Sequence, residues 1–404
     1  MVINHKFVNG MLVTGVITLL GILALPVQAS AATWPSAPGI DAKSWAMIDA
    51  RSGQVIAEDN ANVELSPASL TKMMTLYLAF EDIKLGRLDL NEHVDVSKAA
   101  WKIGGSTMFL DPRMHPTVEA LLHGIATYSG NDACIALAEH MAGSESAFAE
   151  RMNRKASELG LTHTHFMNAT GFPEKGHHSS AMDMARLGAA LWRAYPKMYE
   201  IFSEKSYTYQ GRSQPNRNRL LWSFPLADGI KTGHTEEAGY CLVGSAEKGS
   251  TRFVTAVFGT ASDRERAKQS EILMQFGFRN FVTMRPAERE IRRQVRVYEG
   301  AEDHVWLTPA SPVWVTVPYG SESSLSFRLR YKAPLKAPLS AAQQLGSIEA
   351  VLGGKSGQKS VLKSVPMISV SGVAKASWPG IQWDRLQLWW DGSSADANEP
   401  ISDQ

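Results

Sequence analysis

The chain has 404 residues, 44% hydrophobic and 20% charged, enough to bury a large core and to form two or three domains. Its Lys and Arg number 41 and its Asp and Glu 40, a formal net charge of +1. So even a balance offers no polyanion-binding surface, and nucleic acid is excluded as an expected partner.

At the N-terminus, Lys6 precedes an apolar run from Met11 to Leu25, and Pro26-Val27-Gln28-Ala29-Ser30-Ala31 follows it. A charged start, a short apolar centre and a small-residue end read as a signal peptide over residues 1–29, cleaved after Ala29 or Ala31. The run is shorter than the roughly 20 residues a bilayer span needs, which favours cleavage over an anchor and predicts export across the cytoplasmic membrane. From Ser44 to Phe281, short strand-like runs (Trp45 to Ile48, Phe253 to Phe258) flank stretches that are apolar at helical spacing, Ala133 to Met141 and Met182 to Trp192. Strands at both ends with helices between predict a domain over 32–284 whose sheet joins the two ends of the segment and packs against a helical cluster.

After about Arg285 the pattern alternates with period two, as in Val295 to Tyr298, Val313 to Val317 and Leu325 to Arg330, with turn clusters near Gly300, Pro309 to Pro312 and Gly320. A small all-β domain over 285–372 is predicted. Residues 373–391 then form an amphipathic helix with Trp378, Trp383, Leu386, Trp389 and Trp390 on one face and Asp384, Gln387 and Asp391 opposite. Tryptophans at that density suit a membrane interface, so peripheral attachment is expected; the alternative is a helix that docks its tryptophans on the protein. The polar tail, 392–404, is expected to be disordered. The only cysteines, Cys134 and Cys241, lie in apolar stretches and read as two buried free thiols.

Three short motifs carry the chemistry. Ser69-Leu70-Thr71-Lys72 follows Ser66-Pro67-Ala68, which predicts a helix start with Ser66 as N-cap, Pro67 at the first helical position and Ser69 in the first turn. Lys72, three residues on, shares the face of Ser69. A serine hydroxyl needs a base to become a nucleophile, and a lysine held neutral by burial and a neighbouring cation supplies one. In Ser129-Gly130-Asn131-Asp132, Ser129 can pass a proton toward a leaving amine and the Asn131 amide can hold a substrate backbone group, while Asp132 reads as a structural partner of the helix that starts there. In Asp228-Gly229-Ile230-Lys231-Thr232-Gly233-His234-Thr235, Lys231 brings a second ammonium and Thr232 a hydroxyl. Gly233 removes a side chain so that an extended peptide can approach the strand edge. A Ser-x-x-Lys pair alone arises by chance about once in a chain of this length. The three motifs in this order form a far stronger signal.

Together they resemble the signature of penicillin-binding proteins and class A β-lactamases. The wording from Ser66 to Thr75, Ser129 to Cys134 and Asp228 to Thr235 is similar to the low-molecular-weight D-Ala-D-Ala carboxypeptidases of the peptidase S11 family, as are Asn168-Ala169-Thr170-Gly171-Phe172 and Ala238-Gly239-Tyr240. The resemblance implies a transpeptidase-like α/β catalytic domain, with an antiparallel sheet packed by helices, before the β-domain and helix. It also implies an acyl-enzyme on Ser69, with Lys72 as base and Ser129 as proton relay. Backbone N–H groups of Ser69 and His234 would form the oxyanion hole, and Lys231 and Thr232 would hold the terminal carboxylate of a peptidoglycan stem peptide. No cofactor or metal is implied. β-Lactams would act as inhibitors, and the enzyme would sit on the outer face of the cytoplasmic membrane, on the periplasmic side. Members of the family carry an arginine soon after the strand matching Val254 to Gly259. Here Thr260-Ala261 stands there, and Arg264 and Arg266 are the nearest arginines.

Two other enzymes and one non-enzyme share part of this pattern. A class A β-lactamase needs a glutamate that activates the deacylating water, but Glu174 lies in Gly171-Phe172-Pro173-Glu174-Lys175, which follows the carboxypeptidase wording. A D,D-endopeptidase would need a wide cleft, and an idle glycan-binding scaffold is disfavoured by the intact Ser69, Lys72, Ser129 and Lys231. The histidines, including His163, His165, His177 and His178, form no metal-binding pattern and read as loop or surface residues.

Overall fold

The computed structural model describes residues 34–287, 291–353, 359–391 and 396–401; the leader expected at 1–29 lies outside them. In chain order the first domain holds β1 (Ser44–Asp49), β2 (Val55–Asp59), α1 (Lys72–Lys84), α2 (Lys98–Lys102), α3 (Val118–Thr127), α4 (Asn131–Ala142), α5 (Glu145–Glu158) and α6 (Ala181–Ala194). The small hairpin β3 (Ser206–Tyr209) and β4 (Arg212–Pro215) follows, then α7 (Leu220–Ser223), β5 (Ala227–Thr235), β6 (Gly239–Lys248), β7 (Thr251–Thr260) and α8 (Asp263–Asn280).

The main sheet is antiparallel throughout, in the order β2-β1-β7-β6-β5, so the first strand pairs with one of the last, Trp45 opposite Val257. The sheet is covered on both faces, and alternate residues of β1 feed two different cores. Ala46 and Ile48 pack with the helical cluster, whereas Trp45 and Met47 pack with Leu273 and Met274 of α8. That double burial is why these strands read as continuous apolar runs. Polar side chains fix the helix starts: Thr117, Ser144, Ser180 and Ser262 each accept an N–H from the first turn of α3, α5, α6 and α8.

The second domain contains β8 (Phe281–Met284), β9 (Arg293–Tyr298), β10 (His304–Pro309), β11 (Val315–Pro318), β12 (Leu325–Lys332), β13 (Leu335–Lys336), β14 (Gln344–Gly353) and β15 (Lys359–Ser369). Helix α9 (Trp378–Asp391) and β16 (Asp396–Ile401) complete it. Seven strands run in the order β13-β9-β10-β15-β14-β12-β16 around a separate apolar core. The stretch 396–401 corrects one expectation. Instead of being disordered it pairs antiparallel with β12, whose outer edge otherwise leaves a row of backbone groups unpaired. Residues 392–395 and 402–404 of that tail lie outside the described residues.

The domains meet where β8 pairs with β11, and the turn between β1 and β2 inserts beside that pair. The Gln54 side chain donates to Thr316 O at 3.0 Å and accepts from Thr316 N at 2.6 Å, as a neighbouring strand would. Buried hydroxyls continue the seam: Ser52 Oγ lies 2.8 Å from Thr316 Oγ1, which lies 3.0 Å from Thr283 Oγ1, and Thr283 donates to Asp49 at 2.7 Å. The Arg51 guanidinium sits over the rings of Trp192 from the first domain and Trp314 from the second.

Helix α9 docks by its polar side. Asp384 is buried and accepts the Glu299 backbone N–H, Gln387 pairs with Arg296, and Arg385 lies 3.5 Å from Glu299. Its four tryptophans face away and are 61–81% exposed. Among the described residues no helix is long and apolar enough to cross a membrane.

Candidate active site

The segment before α1 does not form the regular helix start that Ser66 and Pro67 suggest. Pro67 caps a 3₁₀ turn, Ala68–Thr71, with no side-chain cap, and α1 begins only at Lys72. The cause is Ala68, whose φ of +47° breaks the helical path and turns the next residue outward. A second non-glycine residue with positive φ is Ser129, at +64°, in the link between α3 and α4. Ala68 directly precedes Ser69 of the cleft and Ser129 lines it, and such backbone is held in place only by its surroundings.

That cleft has a volume of about 1420 Å³, and Ser69, Ser129, Asn131, Thr232, Gly233 and His234 all line it. The structure thus brings together residues from three distant motifs. Lys72 Nζ lies 2.8 Å from Ser69 Oγ and donates to Thr170 O at 2.6 Å. The Lys72 side chain is fully buried, and burial first, then the charge of Arg217, lowers its pKa to about 8. A minor fraction of it is therefore free base at neutral pH, and that fraction grows as pH rises through about 8. Lys231 is also buried and donates to Thr232 O at 3.0 Å; burial and then the neighbouring Lys72 push its pKa well below the usual lysine value.

Ser129 is buried, and its Oγ has no hydrogen-bond partner among the described residues. Asn131 donates to Gly104 O at 2.8 Å, which ties the start of α4 to the loop after α2. The Asp132 carboxylate accepts N–H groups of Met108, Leu110 and Ala133, each at 2.9 Å, the structural part expected of it. Gly233 acts differently from expectation. A Cβ there would lie 2.9 Å from Pro67 O and 3.2 Å from Ala68 Cβ, so the glycine lets β5 press against the nucleophile turn rather than clearing a path for substrate. His234 is exposed, and its ring is tilted against that of Tyr240 with 4.0 Å between centroids.

Cys134 and Cys241 are both free and buried, and burial raises the Cys134 thiol to about 12, so it stays neutral beside the two lysines.

Several residues at the site are placed there by the fold rather than by a local motif. Arg266 is buried under the cleft and donates to Gly233 O at 2.9 Å; of the two arginines flagged after β7, it is the one tied to β5. Arg217, whose charge bears on both lysines, lines the cleft and donates to Tyr128 O at 3.2 Å. Its place depends on the β3–β4 hairpin, which no local pattern announces. Thr170 supplies a main-chain carbonyl, invisible in any residue-type motif.

A serine paired with a buried lysine, a free second serine and a cationic strand edge can attack a carbonyl, return a proton and hold an anionic substrate terminus. Known proteins resemble this chain in sequence and fold. The family model for D-alanyl-D-alanine carboxypeptidases, Peptidase_S11, matches residues 31–262, and that for the penicillin-binding protein 5 C-terminal domain matches residues 282–375. D-alanyl-D-alanine carboxypeptidase DacC of Escherichia coli (strain K12) is 40% identical, with 92% of this chain and 94% of that protein covered. Penicillin binding protein 5 from Haemophilus influenzae superposes with a TM-score of 0.79 at 35% identity, covering 84% of this chain and 100% of the other. Penicillin-binding protein D2 from Listeria monocytogenes, in its ampicillin-bound form, matches with a TM-score of 0.55 at 30% identity over 60% of this chain and 100% of the other. The chain belongs to the D-alanyl-D-alanine carboxypeptidase family, Peptidase_S11, and is a serine hydrolase.

Proposed function

We propose that this cleft removes the terminal D-alanine from peptidoglycan stem pentapeptides through an ester on Ser69. The observation that carries the reading is the 2.8 Å approach of Lys72 Nζ to Ser69 Oγ, made by an amine that burial keeps easy to deprotonate. Neutral Lys72 takes the hydroxyl proton as Ser69 Oγ bonds to the carbonyl carbon of the penultimate D-alanine. N–H groups of Ser69 and His234 meet the oxyanion, and Ser129 hands its proton to the departing amine and regains one from the Lys72 ammonium, so that free D-alanine leaves and Lys72 is neutral again. Water then attacks the ester, loses its proton to the same base and regenerates Ser69. Lys231, Thr232 and, beneath the strand, Arg266 favour a substrate that ends in a carboxylate, while Asn131 holds its backbone.

A β-lactam fits the same scheme with one difference: its leaving nitrogen stays tethered after ring opening, so the ester persists. Incubation with a penicillin should add one adduct by intact-mass spectrometry, and Ser69→Ala should abolish it. An adduct that survives in the variant would refute the assignment. For location, the exposed tryptophans of α9 support peripheral attachment to the outer surface of the cytoplasmic membrane, on the periplasmic side.

A further inference from the structure

The segment Asn168-Ala169-Thr170-Gly171-Phe172 takes part in none of the steps above, yet it provides the second hydrogen bond of the base. Asn168 is buried, and its Oδ1 accepts from Thr170 N at 3.2 Å, Thr170 Oγ1 at 3.0 Å and Gly171 N at 2.8 Å. Its Nδ2 donates to Phe172 O and to Glu174 Oε2, each at 3.1 Å. One carboxamide therefore fastens five groups of a single turn, and only a carboxamide of this length both accepts and donates in that way. The outcome of the turn is that the Thr170 carbonyl points at Lys72 Nζ, 2.6 Å away.

We propose that Asn168 is a positioning residue for Lys72, shaping the turn that aims the Thr170 carbonyl at the amine and so fixing the direction of its lone pair and keeping water from it. A neutral amine has two N–H bonds and one lone pair. With an N–H committed to Thr170 O, the lone pair is left for the Ser69 proton. The turn cannot drift independently of the nucleophile, because it is pinned from both sides. Thr75 Oγ1 of α1 donates to Ala169 O at 2.8 Å, and Ala169 N donates to Glu145 of α5 at 3.0 Å. Gly171, at φ +85°, lies so close that a Cβ would stand 1.8 Å from Ala68 O. Behind the turn, His177 Nδ1 accepts from Met167 N at 3.2 Å, which puts its proton on Nε2, 2.8 Å from Thr71 Oγ1.

The charged and titratable groups that bear on Lys72 are Cys134 and Asp132 from α4, Glu145 from α5, Arg217 from the stretch before α7, Lys231 from β5 and His177 from the loop itself. Burial outweighs all of them for Lys72, and the turn carrying Thr170 forms part of the cover that buries it. Loss of the Asn168 carboxamide frees the turn, admits water and returns Lys72 toward the behaviour of an exposed lysine.

This inference rests on Lys72 being the base, and the test separates the two claims. Acylation by a penicillin is followed by stopped flow across pH in the full chain, for the wild type, Asn168→Ala, the milder Asn168→Ser, Asn153→Ala and Lys72→Ala. Asn153 is the control: it holds the same loop through both backbone groups of Phe166, at 2.8 Å each, but makes none of the bonds around Thr170. Both Asn168 variants should slow the limiting acylation rate at neutral pH by about tenfold to a hundredfold. They should leave penicillin binding before acylation unchanged and move the pH midpoint to the alkaline side. Asn153→Ala should lose thermal stability and keep the wild-type midpoint. An unmoved midpoint in whichever Asn168 variant folds, or an equal shift in Asn153→Ala, overturns the proposal. Wild-type acylation in Lys72→Ala would instead overturn the assignment of the base.

Discussion

Lys72 and Lys231 are both buried, and burial is the first cause of the lowered proton affinity of each. Geometry separates them: Lys72 reaches Ser69 Oγ, whereas Lys231 bonds along its own strand to Thr232 O. Arginine in place of Lys231 keeps the cation and should retain acylation within about tenfold, whereas Lys72→Arg cannot give up its proton and should lose nearly all activity. Comparable mild losses in both variants would contradict the division. The pH dependence follows from the same distinction. Below its pKa of about 8, Lys72 carries a proton and cannot accept one from Ser69, so the acylation rate should climb as pH rises through about 8 and then level off. Ser69, Lys72, Ser129 and Lys231 could be named from the sequence because each sits in a short local pattern, and the fold brings Lys72 to Ser69 and lines one cleft with Ser69 and Ser129. Arg217 and Asn168 were not legible as site residues, since their roles depend on tertiary placement and, for Asn168, on backbone atoms that no residue-type pattern encodes.

At the level of elements, apolar runs at helical spacing revealed α4 and α6, which are buried along most of their length, and alternation revealed β9 and β12, whose most buried residues are the apolar ones. The start of α1 was misread because Ser-Pro-Ala-Ser has the composition of a capped helix, while the positive φ of Ala68 is imposed by contacts with β5 and Gly171. Helix α9 was recognised by its tryptophans, but the role of its polar face was not: Asp384 and Gln387 hold the helix on the β-domain instead of facing water. Since the docking bonds and the tryptophans lie on different faces, the two can be separated by mutation. Replacing Trp383, Trp389 and Trp390 by serine should abolish co-sedimentation with vesicles of phosphatidylglycerol and phosphatidylethanolamine and leave hydrolysis of a soluble D-Ala-D-Ala peptide unchanged. Vesicle partitioning equal to that of the wild type would rule out the membrane role.

Over the whole molecule, the turn between β1 and β2 makes one body of two cores, chiefly through the Gln54 amide and the buried hydroxyls of Ser52, Thr283 and Thr316. Gln54→Ala leaves Thr316 N and O without their partner and should cost about 1–3 kcal/mol at this seam. Calorimetry should then resolve two unfolding transitions or a lowered single one, with acylation kept at the wild-type rate; a large loss of acylation would show that the seam also supports the cleft. The pairing of β1 with β7 has a further consequence, one of timing. A growing chain delivers β1, the nucleophile turn and every helix through α6 before any of β5, β6 or β7 exists. Until those strands arrive, β1 lacks its main partner, the helical cluster lacks the sheet it packs on, and the nucleophile turn lacks the glycine strand that braces it. Such distant pairings close slowly and leave apolar surface open meanwhile, so an incomplete chain is a substrate for chaperones and proteases before it is an enzyme. Reactivity toward penicillin should therefore appear only after β7 has been made, so that it counts finished catalytic domains rather than nascent ones.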